Sequence, residues 1–278
     1  MGLGGYLTWT AVIREIKEQQ NIDDLKIIPV EMHGDVVTKI AESAAFDNNP
    51  HVTYDLEYRP LMLLQMNKPE TNYCKHDSYY RAFHRHDKHI IEQICEYYGI
   101  DEPHLRCEMY FSDEEDKKKD DIRENLSDKY IVIEPISKEN YTVNRKYCFK
   151  KWQKVVDSLS KDIEIVQIGV KGSKVLKNVR DLTGKTNFKE AVGVIKHAKI
   201  LLSTEGGLTH AATAVDTPAL VIITGYQDPK MVCYPQNINI NITSHGPCGY
   251  KTTCKECERD VINHDYMEVV TKVKEFLS

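Results

Sequence analysis

The sequence predicts an α/β protein built from two open, parallel-sheet units that face a central cleft. Three observations carry this. Short apolar runs alternate with amphipathic stretches through the second half. A charged, core-poor segment divides the 278 residues near their middle, and the length suits two units of ordinary size. Glycine pairs and helix-capping residues follow the apolar runs, as at strand-to-helix corners.

The dividing segment is 113–129, "DEEDKKKDDIRENLSDK", which offers almost nothing to bury and reads as a solvated linker or surface helix. The boundary is therefore set at residue 125, giving units 1–125 and 126–278. In the second unit, "YIVIEP" (130–135) reads as a buried strand, "FKKWQKVVDSL" (149–159) as an amphipathic helix and "IEIVQIG" (163–169) as a strand. "NFKEAVGVIKHA" (187–198) is a helix with a capping-box start, Asn187 and Glu190. "KILLS", a Gly-Gly corner, a helix and "ALVIIT" complete a parallel pattern. The first unit is less regular. "LTWTAVIREIKEQ" and "HDKHIIEQICEYYGI" (86–100) read as helices, "LKIIPVE" (25–31) as a strand and "HVTYDLEY" (51–58) as a further strand. The run "YCKHDSYYRAFHRHDKH" (73–89) reads as a helix with one buried aromatic face; its aromatics could alternatively line an acceptor groove.

Composition excludes several classes. With 41% hydrophobic and 28% charged residues and no apolar run near 20 residues, no membrane span is expected. A net charge of −5 argues against a general nucleic-acid binder. The N-terminal stretch lacks a basic region followed by an apolar core, so the expected setting is cytoplasmic, with the scattered cysteines reduced.

The chemistry concentrates in "LLSTEGGLTHAATAVDTPALVIITG" (201–225). In an open parallel sheet, ligands sit beyond the carboxyl ends of the strands. Gly206 and Gly207 allow backbone N–H groups to approach an anion, and a helix N-terminus adds favourable partial charge. His210, one turn on, can donate to a phosphate oxygen. Glu205 would repel phosphate and suits sugar hydroxyls such as a ribose. Together they suit a nucleoside diphosphate; a glycine turn with a capped helix and a surface histidine accounts for the spacing equally well. "TGKT" (183–186) is not a Walker A loop, because the first glycine would fall at Val179; Thr186 and Asn187 instead cap the next helix, beside the ligand. "YTVNRKY" supplies Arg145 and Lys146 for a diphosphate, or a solvated basic surface.

These residues resemble glycosyltransferase family 9, the heptosyltransferase-like enzymes, which pair an acid-x-Gly segment with a helical histidine and then a "TP" strand ending in Gly-x-x-Asp-Pro. The resemblance extends through "TGKTNFKEAVGVIKHAKI", "VVDSLSKDIEIVQIG" and "RKYCFKKW" to the N-terminal "GLGGYLTWTAVIREI". It implies a GT-B fold of two Rossmann-like domains, the donor held mainly by the C-terminal one and the acceptor side formed by the N-terminal one. It implies inverting transfer of a sugar, heptose among the candidates, from an ADP- or other nucleotide-diphosphate donor to a surface-glycan or lipid-linked saccharide. No metal is implied for catalysis, and the work is placed in the cytoplasm, with peripheral contact at the inner membrane surface allowed. Glu205 then matches the acidic nucleoside contact, usually aspartate. Gly206, Gly207, Leu208, Thr209 and His210 match the diphosphate loop, with Gly4 and Gly5 opposite. Arg145 matches a phosphate contact, and Gly169, Lys171 and Ser173 a nucleoside-contacting loop.

The pattern breaks at Gly5, where the family carries its catalytic aspartate. Inverting transfer needs a base for the acceptor hydroxyl. His33 and Asp35 in "EMHGD" stand as substitutes. A non-catalytic nucleotide-sugar-binding protein, or a GT-B sugar-nucleotide epimerase, are the competing readings. Separately, Cys248, Cys254 and Cys257 cluster in "HGPCGYKTTCKEC", with His245 or His264 as a fourth ligand. This is either a structural zinc site or a set of free thiols in a ligand-capping loop.

Overall fold

In the computed structural model, residues 2–20, 22–136 and 141–278 are described. Helix α1 (Leu3–Gln20) is followed by strands β1 (Lys26–His33), β2 (Val36–Ile40) and β3 (Leu61–Gln65), a β4–β5 hairpin (Cys74–Asp77, Ala82–His84), and helices α2 (Ile90–Tyr97) and α3 (Asp113–Arg123). The second half runs β6 (Tyr130–Ile133), α4 (Phe149–Leu159), β7 (Glu164–Gln167), β8 (Arg180–Asp181), α5 (Phe188–Lys196), β9 (Leu201–Thr204) and α6 (Gly207–Ala214). It ends with β10 (Ala219–Ile223), α7 (Pro229–Val232), β11 (Ile238–Asn241), α8 (Lys255–Asn263) and α9 (Tyr266–Leu277).

The larger sheet has the order β11-β10-β9-β6-β7-β8, with every neighbouring pair parallel. Its central strands β6, β9 and β10 are buried throughout because helices cover both faces: Trp152, Val155 and Val156 of α4 with Val269 and Val273 of α9 on one, and Val194, Ile195 and Ala212 on the other. The smaller sheet, β2-β1-β3, keeps a parallel β1–β3 pair and adds an antiparallel β1–β2 hairpin. α1 packs on α2 and on α6, and the core beneath it joins Leu7, Trp9 and Ile13 to Ala211, Ala214 and Tyr234 from the second half.

Three expectations of the sequence reading change. Residues 51–58 do not form a strand: Val52 makes one isolated bridge to Ile27, and Thr53 Oγ1 and Asp55 Oδ1 then accept from the N–H groups of Asp55 and Glu57. Side-chain acceptors at this spacing turn the chain locally and compete with the ladder. The 73–89 run is the β4–β5 hairpin rather than a helix. Its turn closes through Ser78 N–H to Arg81 O at 3.0 Å, and its edge pairs with a distant loop, Ala82 N–H to Gly249 O at 2.9 Å. The antiparallel β4–β5 pairing, with this remote edge contact added, overrides the helical preference. Gly249 has φ +62, and a Cβ there would lie 2.3 Å from Ala82 O, so the docking needs glycine. The charged 113–129 segment contains a helix, α3, with a Ser112–Glu115 capping box, and it does bury something. The Lys119 stem lies beside Gly193 of α5, where a Cβ would come 2.5 Å from Lys119 Cγ, and Lys189 pairs with Glu115 at 2.9 Å.

Candidate functional site

Strand order in the large sheet reverses between β6 and β9: the chain runs outward from β6 to β8, then returns to β9 and runs to β11 on the other side. The crevice at the carboxyl ends of these two strands is the topological ligand position. Glu134 follows β6 and Glu205 follows β9, so two acids stand on adjacent strands. Ser203 Oγ donates to Glu134 Oε2 at 3.3 Å, and burial pushes the Glu134 carboxyl up to about 7.

After Glu205 the chain is extended at Gly206 (φ 164) and enters α6 at Gly207. Thr209 is buried and spends its hydroxyl on the carbonyl of Gly206 at 2.7 Å, which fixes the corner's local geometry. Leu208 packs back against the core. The first turn of α1 sits directly on this corner: a Cβ on Gly4 would lie 2.8 Å from Gly207 Cα and 3.2 Å from His210 Cδ2. The N-termini of α1 and α6 therefore converge, and their partial positive charges add. Gly5 is the next residue in the same turn of α1.

Arg145 and Glu205 form one unit. Arg145 Nε lies 2.6 Å from Glu205 Oε1 as an ion pair rather than an aligned hydrogen bond. Arg145 Nη2 donates to Gln227 Oε1 at 2.9 Å, and its guanidinium stacks 4.9 Å over the Tyr226 ring. Glu205 is only 2% exposed; burial raises its carboxyl to about 7, with the Arg145 charge opposing the rise. Lys146, the following residue, is exposed.

His210 is held through Nδ1, 2.5 Å from the Tyr234 hydroxyl, which lies 3.4 Å from Cys107 Sγ. Burial, with a smaller effect from the Arg145 charge, lowers His210 to about 4, so the ring is neutral near pH 7. In the tautomer whose Nδ1 accepts from Tyr234, the ring proton resides on Nε2. The β4–β5 hairpin adds His84, stacked on Tyr73 at 5.7 Å and edge-on to Tyr226 at 5.9 Å; burial lowers it to about 4.

The remaining sequence-derived residues are dispersed. Gly169, Lys171 and Ser173 follow β7 and pack on the 183–186 turn through Gly184 N–H to Gly169 O at 2.8 Å, with Thr186 half-buried in that turn. His33 and Asp35 lie on the exposed β1–β2 turn, at the carboxyl end of β1. Cys248, Cys254 and Cys257 are buried beside the half-buried His245 ring, whose Nε2 is 3.5 Å from Cys257 Sγ; His264 instead bonds Tyr147 OH at 2.8 Å. Sequence reasoning missed Glu134, whose signal was present as an acid closing the apolar run "YIVIEP". It also missed Tyr226, Gln227, Tyr234 and His84, which reach the site only by tertiary packing.

A family model described as glycosyltransferase family 9 (heptosyltransferase) matches residues 75–260, more than half of the chain. Lipopolysaccharide heptosyltransferase 3 of Escherichia coli (strain K12) is 26% identical over 157 residues, 49% of this chain and 44% of that protein, so less than half of the relative's length is matched. A family 9 glycosyltransferase structure from Veillonella parvula DSM 2008 superposes with a TM-score of 0.64 at 11% identity, covering 100% of this chain and 95% of that one. The iron-containing dodecameric glycosyltransferase TibC from enterotoxigenic E. coli H10407 gives 0.65 at 16% identity, covering 100% and 75%. TibC has also been solved in complex with ADP-D-beta-D-heptose (TM-score 0.61, 16% identity, the same coverage). At these identities the likeness establishes the fold, GT-B.

Proposed function

Because the chain belongs to glycosyltransferase family 9, we propose that it transfers a sugar from a nucleoside-diphosphate donor to a saccharide acceptor. The observation that carries the reading is the convergence of the α1 and α6 N-termini at Gly4 and Gly207, with the neutral His210 ring beside them. A leaving diphosphate gains negative charge as the glycosidic bond breaks. Preformed N–H groups and helix ends aimed there stabilise that charge more than the ground state. His210 supplies the Nε2–H, and Tyr234 sets the tautomer. Arg145 meets the diphosphate and nucleoside from the other side, while Glu205, Gln227 and Tyr226 hold its guanidinium. Glu205 is thus first an anchor for Arg145, and its ribose contact uses whatever acceptor capacity that pairing leaves.

An ADP-sugar, with heptose as the first candidate, is the proposed donor, since the TibC complex holds ADP-D-beta-D-heptose. Inversion, a surface-glycan or lipid-linked acceptor, and peripheral work at the cytoplasmic membrane face belong to the same proposal. So does an acceptor side within 1–125 and a donor side within 126–278. The donor contacts are assigned to Gly4, Arg145, Lys146, Glu205 and the 206–210 loop, with 169–173 and Thr186 flanking. His33 or Asp35, at the carboxyl end of β1, is the proposed base. One observation favours a second reading, a nucleotide-sugar binder without turnover: Gly5 offers no base in the first turn of α1.

A thermal-shift titration with nucleoside diphosphates and their sugars tests the donor site, because a ligand bound only to the folded state raises its stability. Acceptor-dependent release of nucleoside diphosphate separates transferase from binder. Glu205→Ala should hurt nucleotide binding more than inorganic pyrophosphate binding. Parent-like binding of a cognate diphosphate by both Glu205→Ala and His210→Ala would reduce the corner to a turn.

A further inference from the structure

Between β2 and β3, the loop 43–54 closes a cavity of about 430 Å³ against the start of α3, lined by Phe46, Asp47, Asn48, Asn49, Tyr54 and Glu115. That volume is in the usual range for a small-ligand site. Local hydrogen bonds build its wall. Phe46 N–H donates to Ser43 O at 2.8 Å and Asn49 N–H to Phe46 O at 3.1 Å, so the chain folds back on itself. Asn48 takes the left-handed backbone, φ +62, that asparagine tolerates. Asn49 Oδ1 then accepts from His51 N–H at 2.9 Å, which fixes the carboxamide and leaves Nδ2, with its two N–H donors, at the other end. Asn49 is only 4% exposed, and its Nδ2 has no partner among the described residues. A buried amide beside a cavity is costly unless an acceptor meets it.

Acceptors line the same cavity. Glu115 Oε2 receives Ser112 N–H at 2.8 Å, Asn48 Nδ2 at 3.0 Å and Lys189 Nζ of α5 at 2.9 Å. All three fall on one oxygen, and among the described residues none donates to Oε1. Asp47 lies near the Tyr54 phenol, which burial first and this carboxylate second raise above its ordinary value. The Tyr54 ring is 39% exposed. Charge and donor pattern select the ligand. Two carboxylates repel an anion, while the Lys189 ammonium already paired with Glu115 and the Asn49 N–H dipoles oppose a metal ion. A neutral polyhydroxyl ring suits the set. Its hydroxyls donate to Glu115 Oε1 and Asp47 and accept from Asn49 Nδ2, and its C–H face covers the Tyr54 ring.

Both halves of the chain share this wall. Phe46 packs edge-on to Tyr6 at 5.6 Å, two residues after Gly4 in the first turn of α1. Lys189 sits in the first turn of α5, just beyond the 183–186 turn. We propose that the cavity is a saccharide subsite that takes one neutral pyranose ring, and that this ring is a sugar of the acceptor other than the reacting one, since the Phe46 and Tyr6 rings stand between the cavity and the Gly4–Gly207 corner. The second clause rests on the transferase reading above; the first does not.

Methyl glycosides of glucose, galactose and mannose, titrated at millimolar concentration into isotope-labelled protein and followed by amide NMR, test the first clause. At least one should bind and shift the Asn49 side-chain amide signals. Asn49→Asp keeps the oxygen that His51 N–H needs but removes both N–H donors, and should weaken that binding about tenfold. Tyr54→Ala, at an exposed ring, should weaken it about fivefold. Binding by none of the three glycosides, or parent-like binding in Tyr54→Ala or in a folded Asn49→Asp, overturns the subsite. For the second clause, the bound glycoside should inhibit ADP release from ADP-heptose with a deacylated lipopolysaccharide core saccharide as acceptor. It should raise the acceptor KM and leave kcat unchanged, and inhibit Tyr54→Ala about fivefold less. ADP release that the glycoside leaves unchanged overturns the acceptor clause while the subsite stands. A parent that binds the glycoside and the core saccharide but releases no ADP overturns the transferase reading, and the acceptor clause with it.

Discussion

Gly4 of α1 and Gly207 of α6 touch backbone to backbone, so closely that a Cβ on Gly4 would stand 2.8 Å from Gly207 Cα. Backbone cannot swing aside as a flexible side chain can. Gly4→Ala should therefore push the two helix ends apart, costing about 1–3 kcal/mol of stability by overpacking and weakening diphosphate binding. Gly2→Ala is the control, since nothing lies within 4 Å of a Cβ there. Chemical denaturation and ADP titration of both variants give the answer; equal behaviour would mean the helix ends are not held by this contact.

The Arg145–Glu205 pair predicts strong non-additivity. Arg145→Ala strands a buried carboxylate and should cost about 3–5 kcal/mol, whereas Arg145→Ala combined with Glu205→Gln should recover a large part of it. Because burial holds Glu205 at about 7 against an ordinary 4.5, its ionisation works against the fold as pH rises from 4.5 to 7. Glu205→Gln should remove that component of the stability–pH curve.

Tyr234 and His210 should separate in effect. His210→Ala removes the proposed phosphate donor and should weaken diphosphate binding by about 1.5–3 kcal/mol. Tyr234→Phe leaves the ring but frees its tautomer, and should cost about 0.5–1.5 kcal/mol. Isothermal titration with ADP ranks the two; a larger loss in Tyr234→Phe would contradict the assigned roles.

Acid should destabilise the protein through its buried histidines. His89 caps α2 by accepting from Ile91 N–H at 3.3 Å, and burial lowers it to about 3, with His84 and His210 at about 4. For a depressed base, stability is full above the unfolded value near 6.5 and is lost as pH falls towards the folded value. The thermal midpoint should therefore drop from pH 6.5 to 4. His89→Asn, which keeps a capping acceptor but cannot charge, should flatten part of that slope.

Gly5→Asp tests the vacant base position. If no other group has taken over, it should raise acceptor-dependent turnover by about 10²–10⁴-fold without tightening donor binding, since a base acts on the acceptor proton in the transition state. If His33 or Asp35 already serves, His33→Ala or Asp35→Ala abolishes turnover and the added carboxylate gains little.

Local order was legible in the chain because neighbouring residues create it. The periodicity of 149–159 and 187–198, the Asn187–Glu190 cap and the apolar strands 130–133, 201–204 and 219–223 follow from burial and capping within single segments, and with them the corner at Gly206-Gly207. The tertiary structure decided what meets that corner. Gly4, Tyr234 and the hairpin carrying His84 come from segments with no local reason to approach it. The hairpin's two strands pair with each other, but its place beside the site is set by residues 249–251 bonding its edge, and Arg145 and Glu205, read as separate ligand contacts, become one buried pair once two strands of a reversed sheet stand side by side. Spacing along a chain reports which groups share a face; the charge a buried group carries, and the partner it spends that charge on, are set by neighbours that arrive from elsewhere in the fold.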